Sequence, residues 1–238
     1  MTSTSAGSGA AGSELAEARR ELDELTYAVA HDVRAPLRVI DGFSEALLED
    51  YRDALTPGGI DYLLTIRGAV SRMEQLFDGI HELSRVSQAP VQHARVDVTA
   101  MAESIAAELV AGDPSRDVRF AIESNLEVRT DAALLHAALT HLLRNAWKFT
   151  AKRAAATITV GRQPQGSRAL FVRDDGAGFD LAAAPRMFGP FQRFHPASDF
   201  EGLGLGLALV RRIVHRLGGR VHAESAPRKG TTIYMELP

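Results

Sequence analysis

Four short stretches of this sequence carry side chains able to do chemistry. His31 and Asp32 stand together in AVAHDVRAPLRVIDGF (28–43), with Pro36 following inside what reads as a helix. With Val29 at 0° on a helical wheel, His31 falls at roughly 200°, opposite the apolar stripe and toward solvent. An exposed helical histidine is most often a plain surface residue. Pro36, however, cannot donate to the carbonyl of Asp32 and its ring clashes there, so a bend is expected one turn beyond His31. Asn145 and Lys148 in NAWKF are three apart and share a helix face. An amide oxygen and an ammonium suit a magnesium-bound phosphate chain, and a solvated helix face accounts for them nearly as well. In DDGAGFD, Asp174 ends a strand and Gly176 and Gly178 allow a tight turn. A hairpin-like turn is the plain alternative, and a calcium loop is poorly supported because its alternating oxygen ligands and closing glutamate are missing. In GLGLGLALV, Gly202, Gly204 and Gly206 lead into a helix, where backbone N–H groups can approach an anion. The loop has no GK[ST] and carries leucine at 207, so it is neither a Walker A loop nor a dinucleotide fingerprint; alone it also fits a flexible linker.

The elements that must position these residues fall into three segments. Residues 1–12 are small, polar and aperiodic, and read as a flexible arm. Residues 13–90 read as a helical hairpin. Leu22, Leu25, Val29, Val33, Pro36, Ile40, Phe43 and Leu47 fall within about 40° of one line on a helix. TPGG at 56–59 is expected to break that helix, and Leu63, Ile66, Val70, Met73, Phe77 and Ile80 then mark a second one. Two helices cannot cover two seams of this length, so a homodimer forming a four-helix bundle is expected, the alternative being a hairpin docked on the rest of its own chain. After a boundary near 89–94, residues 91–238 mix helices and β-hairpins, including an Asp-capped helix in DAALLHAALTHLLRNAWKF. The fold class is therefore α+β: the hairpin, then a sandwich with one antiparallel or mixed sheet and helices on one face.

Composition narrows the partners. With 238 residues and 45% hydrophobic content the chain can bury a real core. The absence of cysteine removes disulfides and thiolate metal sites and fits a reducing compartment, so a cytoplasmic location is expected. A formal net charge of -3 offers no basic footprint for nucleic acid or an anionic membrane. No apolar run approaches membrane-spanning length and no signal pattern opens the chain, so no direct membrane contact is expected, and any sensor or anchor would lie outside this sequence.

Together with MFGPFQRFH (187–195), the four stretches resemble one family, the bacterial sensor histidine kinases of two-component signalling, over residues 20 to 238. AVAHDVRAPLRVIDGF resembles the H box, HLLRNAWKFT the N box, VRDDGAGF the first glycine box, MFGPFQRFH the F box and EGLGLGLALVRRIV the second glycine box. Five motifs in the family's order and at its distances are highly specific, and the sequence is similar in particular to kinase cores attached to phytochrome-like and PAS-type sensors. The resemblance implies a dimerisation and phosphoacceptor hairpin followed by an ATP-binding domain of the gyrase type, with ATP and Mg2+ bound. It implies that His31 is phosphorylated, with Asp32 orienting the imidazole. A ring with pKa near 6.5 is mostly neutral near pH 7, and a neighbouring carboxylate can select its tautomer. It further implies that Asn145 holds magnesium, that Lys148 contacts the nucleotide, and that Asp174 accepts from the adenine amine. Gly176 and Gly178 would let the base lie close, Gly202, Gly204 and Gly206 would cradle phosphates in a lid, and Thr231 would line the adenine pocket. Phe188 and Phe191 would anchor the start of the lid with Arg193 in reach of the phosphates. The phosphoryl group would pass from His31 to a response-regulator receiver domain. A non-catalytic ATP-binding dimer acting as an adaptor is the alternative.

Three positions depart from the family's pattern. His141 stands where the N box opens with asparagine, which weakens or retunes magnesium chemistry. Asp175 replaces a usual asparagine and adds negative charge near the nucleotide. Ala35 stands four residues after His31, where many members carry threonine or asparagine able to position a water; weak or absent phosphatase activity is therefore expected.

Overall fold

A computed structural model describes residues 32–88, 90–163, 169–180, 182, 186–196 and 199–238. His31 lies outside the described residues, as do Leu22, Leu25, Val29 and the segment read as a flexible arm. The chain divides between Arg85 and Val86 into two compact units.

In the first unit, helix α1 occupies 32–50 and is helical on both sides of Pro36. A 3-10 turn, Arg52–Ala54, reverses the chain, and α2 runs Pro57–Gln88. The break between two helices expected at TPGG thus falls just before it, and TPGG itself starts the second helix. Thr56 Oγ1 accepts from Gly59 N (3.2 Å) as a cap, and Pro57 takes the first helical position, where a missing N–H costs nothing and φ is already helical. The antiparallel pairing is written in ion pairs. Arg34 Nη2 donates to Asp78 Oδ1 (2.8 Å), and Arg67 donates to Asp41 (2.9 Å) and Glu45 (3.0 Å). Between the helices lie Leu37, Ser44, Leu48 and Val70, all buried. Spaced seven and eleven apart on α1, the first three form a stripe roughly 90° away from the Pro36–Ile40–Phe43–Leu47 line. That second line is open within the chain, Phe43 being 71% exposed.

The second unit is an α+β sandwich. After β1 (Ala94–Asp97) come α3 (Val98–Gly112), β2 (Val118–Ile122), β3 (Glu127–Thr130), α4 (Ala132–Phe149), β4 (Ala156–Arg162), β5 (Leu170–Asp174), α5 (Gly206–Arg216), β6 (Arg220–Ser225) and β7 (Thr231–Glu236). β1 and β3 form an antiparallel pair; the main sheet has order β2-β4-β5-β7-β6, with β2 parallel to β4 and the rest antiparallel. Helices start where short acidic side chains cap them. Asp97 accepts from Ala100 N (2.9 Å) at α3, and Asp131 from Leu134 N (3.0 Å) at α4. α4 is the central element of the core: Leu135, Ala138, Leu139, Leu142 and Leu143 are at most 2% exposed and pack with Ile158, Val160, Leu170, Val172, Val210, Ile213 and Met235. Each fully buried leucine contributes about 1.5–3 kcal/mol of burial free energy. At the C-terminal end of α4 the open carbonyls are met by Arg116, which donates to Trp147 O (2.7 Å) and Thr150 Oγ1 (3.1 Å) and stacks over the Trp147 ring at 4.2 Å.

Candidate functional site

Strand alternation decides where Asp174 points. Leu170 and Val172 face the helices, so the next residue of that period, Asp174, does too. It is 7% exposed. Across the sheet its row is Ile158–Asp174–Thr231–Ser225, each opposite the next on β4, β5, β7 and β6. Burial pushes the Asp174 carboxyl up to about 6, opposed by hydrogen bonds from Gly176 N (2.9 Å to Oδ1) and the Thr231 backbone. The result is a carboxylate held in an apolar wall with its donors fixed on two sides, suited to reading a neutral N–H group.

The turn after it is held against two neighbours. Ala177 N donates to Phe149 O (3.1 Å), tying the turn to the end of α4, and Arg228 N donates to Ala177 O (2.6 Å), tying it to the β6–β7 turn. Gly178 has φ +55, and a β-carbon there would collide with Ala226 O. Only glycine combines that backbone with that approach. Thr231 Oγ1 lies 3.0 Å from Ser225 Oγ, which also accepts from Phe179 N (2.9 Å) and donates to Gly230 O (3.1 Å). Asp175 turns its extra charge toward β4, where Oδ1 accepts from Thr157 N (3.1 Å) and lies 3.5 Å from Arg153 Nε.

Asn145 and Lys148 emerge from the same face of α4, as their spacing requires, and both meet the glycine loop. A β-carbon on Gly206, the first residue of α5, would lie 3.5 Å from Asn145 Nδ2 and 3.6 Å from His141 Nδ1; one on Gly202 would lie 3.1 Å from Lys148 Nζ. Lys148 is half-buried over the Phe149 ring at 4.5 Å, and burial, reinforced by repulsion from Arg193, lowers its pKa. Gly204, at φ +73, packs on the backbone of Gln192. Arg193 Nη2 is engaged with Phe200 O (2.9 Å). Phe191 is 54% exposed with φ +61, so it does not anchor the segment as expected. Met187, 1% exposed, and Phe194, stacked on Phe179 at 4.9 Å, hold it instead, with Phe188 packed against the core. Asp32 is exposed at the start of described α1, and belongs to the other unit.

Among the described residues, no group of three or more His, Cys, Asp or Glu side chains is placed to hold a metal ion, and no helix is long and apolar enough to cross a membrane. Residues 130–238 match the histidine kinase-, DNA gyrase B-, and HSP90-like ATPase family, and residues 21–89 match the His Kinase A (phospho-acceptor) domain. The chain belongs to the sensor histidine kinases. This kinase core is 36% identical over 224 residues to the methanogenesis regulatory histidine kinase FilI of Methanothrix harundinacea, covering 92% of the chain and 25% of FilI. It is 30% identical to cyanobacterial phytochrome B of Nostoc, covering 94% of the chain and 30% of that protein. It thus spans between a quarter and a third of these two relatives. Among solved structures it resembles full-length ShkA in complex with AMPPNP, with a TM-score of 0.64 and 25% identity over 90% of this chain and 45% of that one. The histidine kinase AdeS of Acinetobacter baumannii shares the fold, with a TM-score of 0.55 at 20% identity over 87% of this chain and 98% of that one.

Sequence reasoning missed Ser225, whose hydroxyl joins Thr231 to the Phe179 backbone. Its strand position opposite Thr231 is visible only once β6 and β7 are paired. It also missed the ring cluster of Phe149, His195 and Phe200, with centroids 5.1–5.4 Å apart, which seats the end of α4 against the F-box segment.

Proposed function

We propose that this kinase core is an ATP-dependent protein-histidine autokinase, phosphorylating His31 and passing the phosphoryl group to an aspartate of a response-regulator receiver domain. The observation that supports it most is the meeting of Asn145, Lys148 and the Gly202–Gly206 loop in the same unit as the buried Asp174 turn. The residues fit a magnesium–nucleotide group: a hard amide oxygen and a half-buried ammonium, both beside the glycine loop, where Gly206 faces Asn145 and Gly202 faces Lys148. Asn145 would hold the magnesium and Lys148 the phosphates. Asp174 would accept from the adenine amine, with Gly176, Gly178 and Thr231 shaping the wall. Gly202, Gly204 and Gly206 would give the phosphate chain backbone donors, with Phe191 and Arg193 at the edge of the lid. Magnesium bound there neutralises phosphate charge, and most of the catalysis in such transfers comes from positioning and charge neutralisation.

Residues 13–90 are read as the dimerising phosphoacceptor hairpin and 91–238 as the catalytic domain, with Asp32 selecting the His31 tautomer. The open Ile40–Phe43–Leu47 line on α1 and Ile66 and Met73 on α2 support a homodimer. Ala35, exposed and unable to hydrogen-bond through its side chain, supports weak phosphatase activity toward the phosphorylated regulator. The decisive experiment incubates the protein with γ-labelled ATP and magnesium beside His31→Gln and Asn145→Ala. Acid-labile, alkali-stable label present in the wild type and lost in both variants is expected. Nucleotide binding with no label, even after a sensor region is joined to the chain, would replace the autokinase by an ATP-binding adaptor.

A further inference from the structure

Resting on the nucleotide reading above, we propose that His141 is a specificity-determining ligand of the nucleotide-bound cation, biasing this site away from magnesium toward manganese and cobalt. His141 and Asn145 are four residues apart on α4, and Lys148 continues the same face three residues on. On a helix the i, i+4 spacing brings two side chains onto a single ion, which is why paired metal ligands recur at it. The structure places both beside Gly206: its β-carbon position lies 3.6 Å from His141 Nδ1, 3.5 Å from Asn145 Nδ2 and 4.0 Å from Asn145 Oδ1. A cation held by Asn145 on the Gly206 side would therefore have the imidazole as its neighbour.

The chemistry then differs from an amide pair. Magnesium prefers oxygen ligands, keeps its waters and takes nitrogen reluctantly, whereas an imidazole nitrogen suits first-row transition ions, with affinity rising from Mn2+ to Co2+. No protein cage is needed, because the nucleotide phosphates supply most of the donors, in keeping with the absence of a three-residue acidic or histidine cluster among the described residues. His141→Asn would restore two amide oxygens at the i, i+4 pair and hence a magnesium preference.

The test is binding rather than turnover. Affinity for a fluorescent, non-hydrolysable ATP analogue is measured with Mg2+, Mn2+ or Co2+ for the wild type and His141→Asn. The ratio of Mn2+-supported to Mg2+-supported affinity is expected to fall about tenfold or more in the variant, the scale of a lost contribution to a metal site. Pulsed electron paramagnetic resonance of the wild-type Mn2+–nucleotide complex, carrying 15N-labelled histidine, is expected to show 15N coupling, a readout that needs no variant to fold. An unchanged ratio together with no 15N coupling would overturn the proposal while leaving the nucleotide reading standing. No nucleotide binding with any cation would overturn both.

Discussion

The two units solve the same problem, where to put apolar side chains, in opposite ways. The second unit closes on itself: α4 turns its leucines into a core where Leu135, Leu139 and Leu143 are fully buried. The hairpin buries one narrow stripe, Leu37, Leu48 and Val70, and leaves Ile40, Phe43, Leu47, Ile66 and Met73 open along another. Charges divide the same way. Hairpin charges pair in solvent, Arg67 with Asp41 and Glu45, while the second unit takes Asp174 out of water. A self-contained core can hold a strained, desolvated group because many other contacts fix it. An open stripe instead makes the hairpin's stability depend on what covers it.

The sharpest way to break this contrast is Gly178→Ala. The φ of +55 and the collision with Ala226 O should cost the second unit about 3 kcal/mol or more. Nucleotide binding should be lost and the thermal transition of the full chain lowered; an unaltered transition would show the turn to be pliable. The hairpin's counterpart is Phe43→Asp, which should convert dimer to monomer in sedimentation at micromolar concentration while nucleotide binding by the second unit survives. A persisting dimer would mean that another surface holds the copies together.

Asp174→Asn probes the buried charge. The folded carboxyl titrates at about 6 against an ordinary 3.8, so the folded chain holds the extra proton between those values. Its favourable contribution is complete below about pH 4 and is lost as pH rises through 6, leaving a cost on the order of 1–3 kcal/mol at neutral pH. The substitution should therefore raise the melting temperature at pH 7.5, leave it unchanged near pH 4, and weaken nucleotide affinity. By the same sign, wild-type affinity should decline as pH falls through 6. Equal melting shifts at both pH values would contradict this. The smallest effect is expected from Arg67→Ala. Its hydrogen bond holds the Asp41 carboxyl below its usual range, but the pair is solvated, so any melting shift should be slight and should vanish in molar salt.

The periodic elements were legible in the sequence because each carries its own signal: the cap at Asp131, alternation in β4 and β5, glycines closing α5. Reading TPGG as the break placed it a few residues late, because Pro57 and the two glycines signal a turn locally, whereas Thr56 as cap converts the same residues into a helix start. The single stripe assigned to α1 caught one face and missed the other: Leu37, Ser44 and Leu48, the buried one, include a serine that hydropathy discounts, though Ser44 Oγ satisfies itself on Ile40 O (2.7 Å). In the site, motif spacing placed Asn145, Lys148, Asp174 and the glycines on their elements. It did not reveal the Ser225–Thr231 contact or the exposed Phe191, since both depend on strand pairing and chain reversal rather than on neighbours in sequence.

The row Asp174–Thr231–Ser225 also sets an order of events during synthesis. β7 lies between β5 and β6, and the Thr231 backbone donates to Asp174. A ribosome delivers Asp174, Asn145 and the glycine loop well before it delivers Thr231. Until that late strand slots into the middle of the sheet, the nascent chain has an unpaired β5 edge and a half-built wall beside the carboxylate. A nascent chain stalled short of β7 would therefore lack the Thr231 donor that helps hold the Asp174 carboxylate.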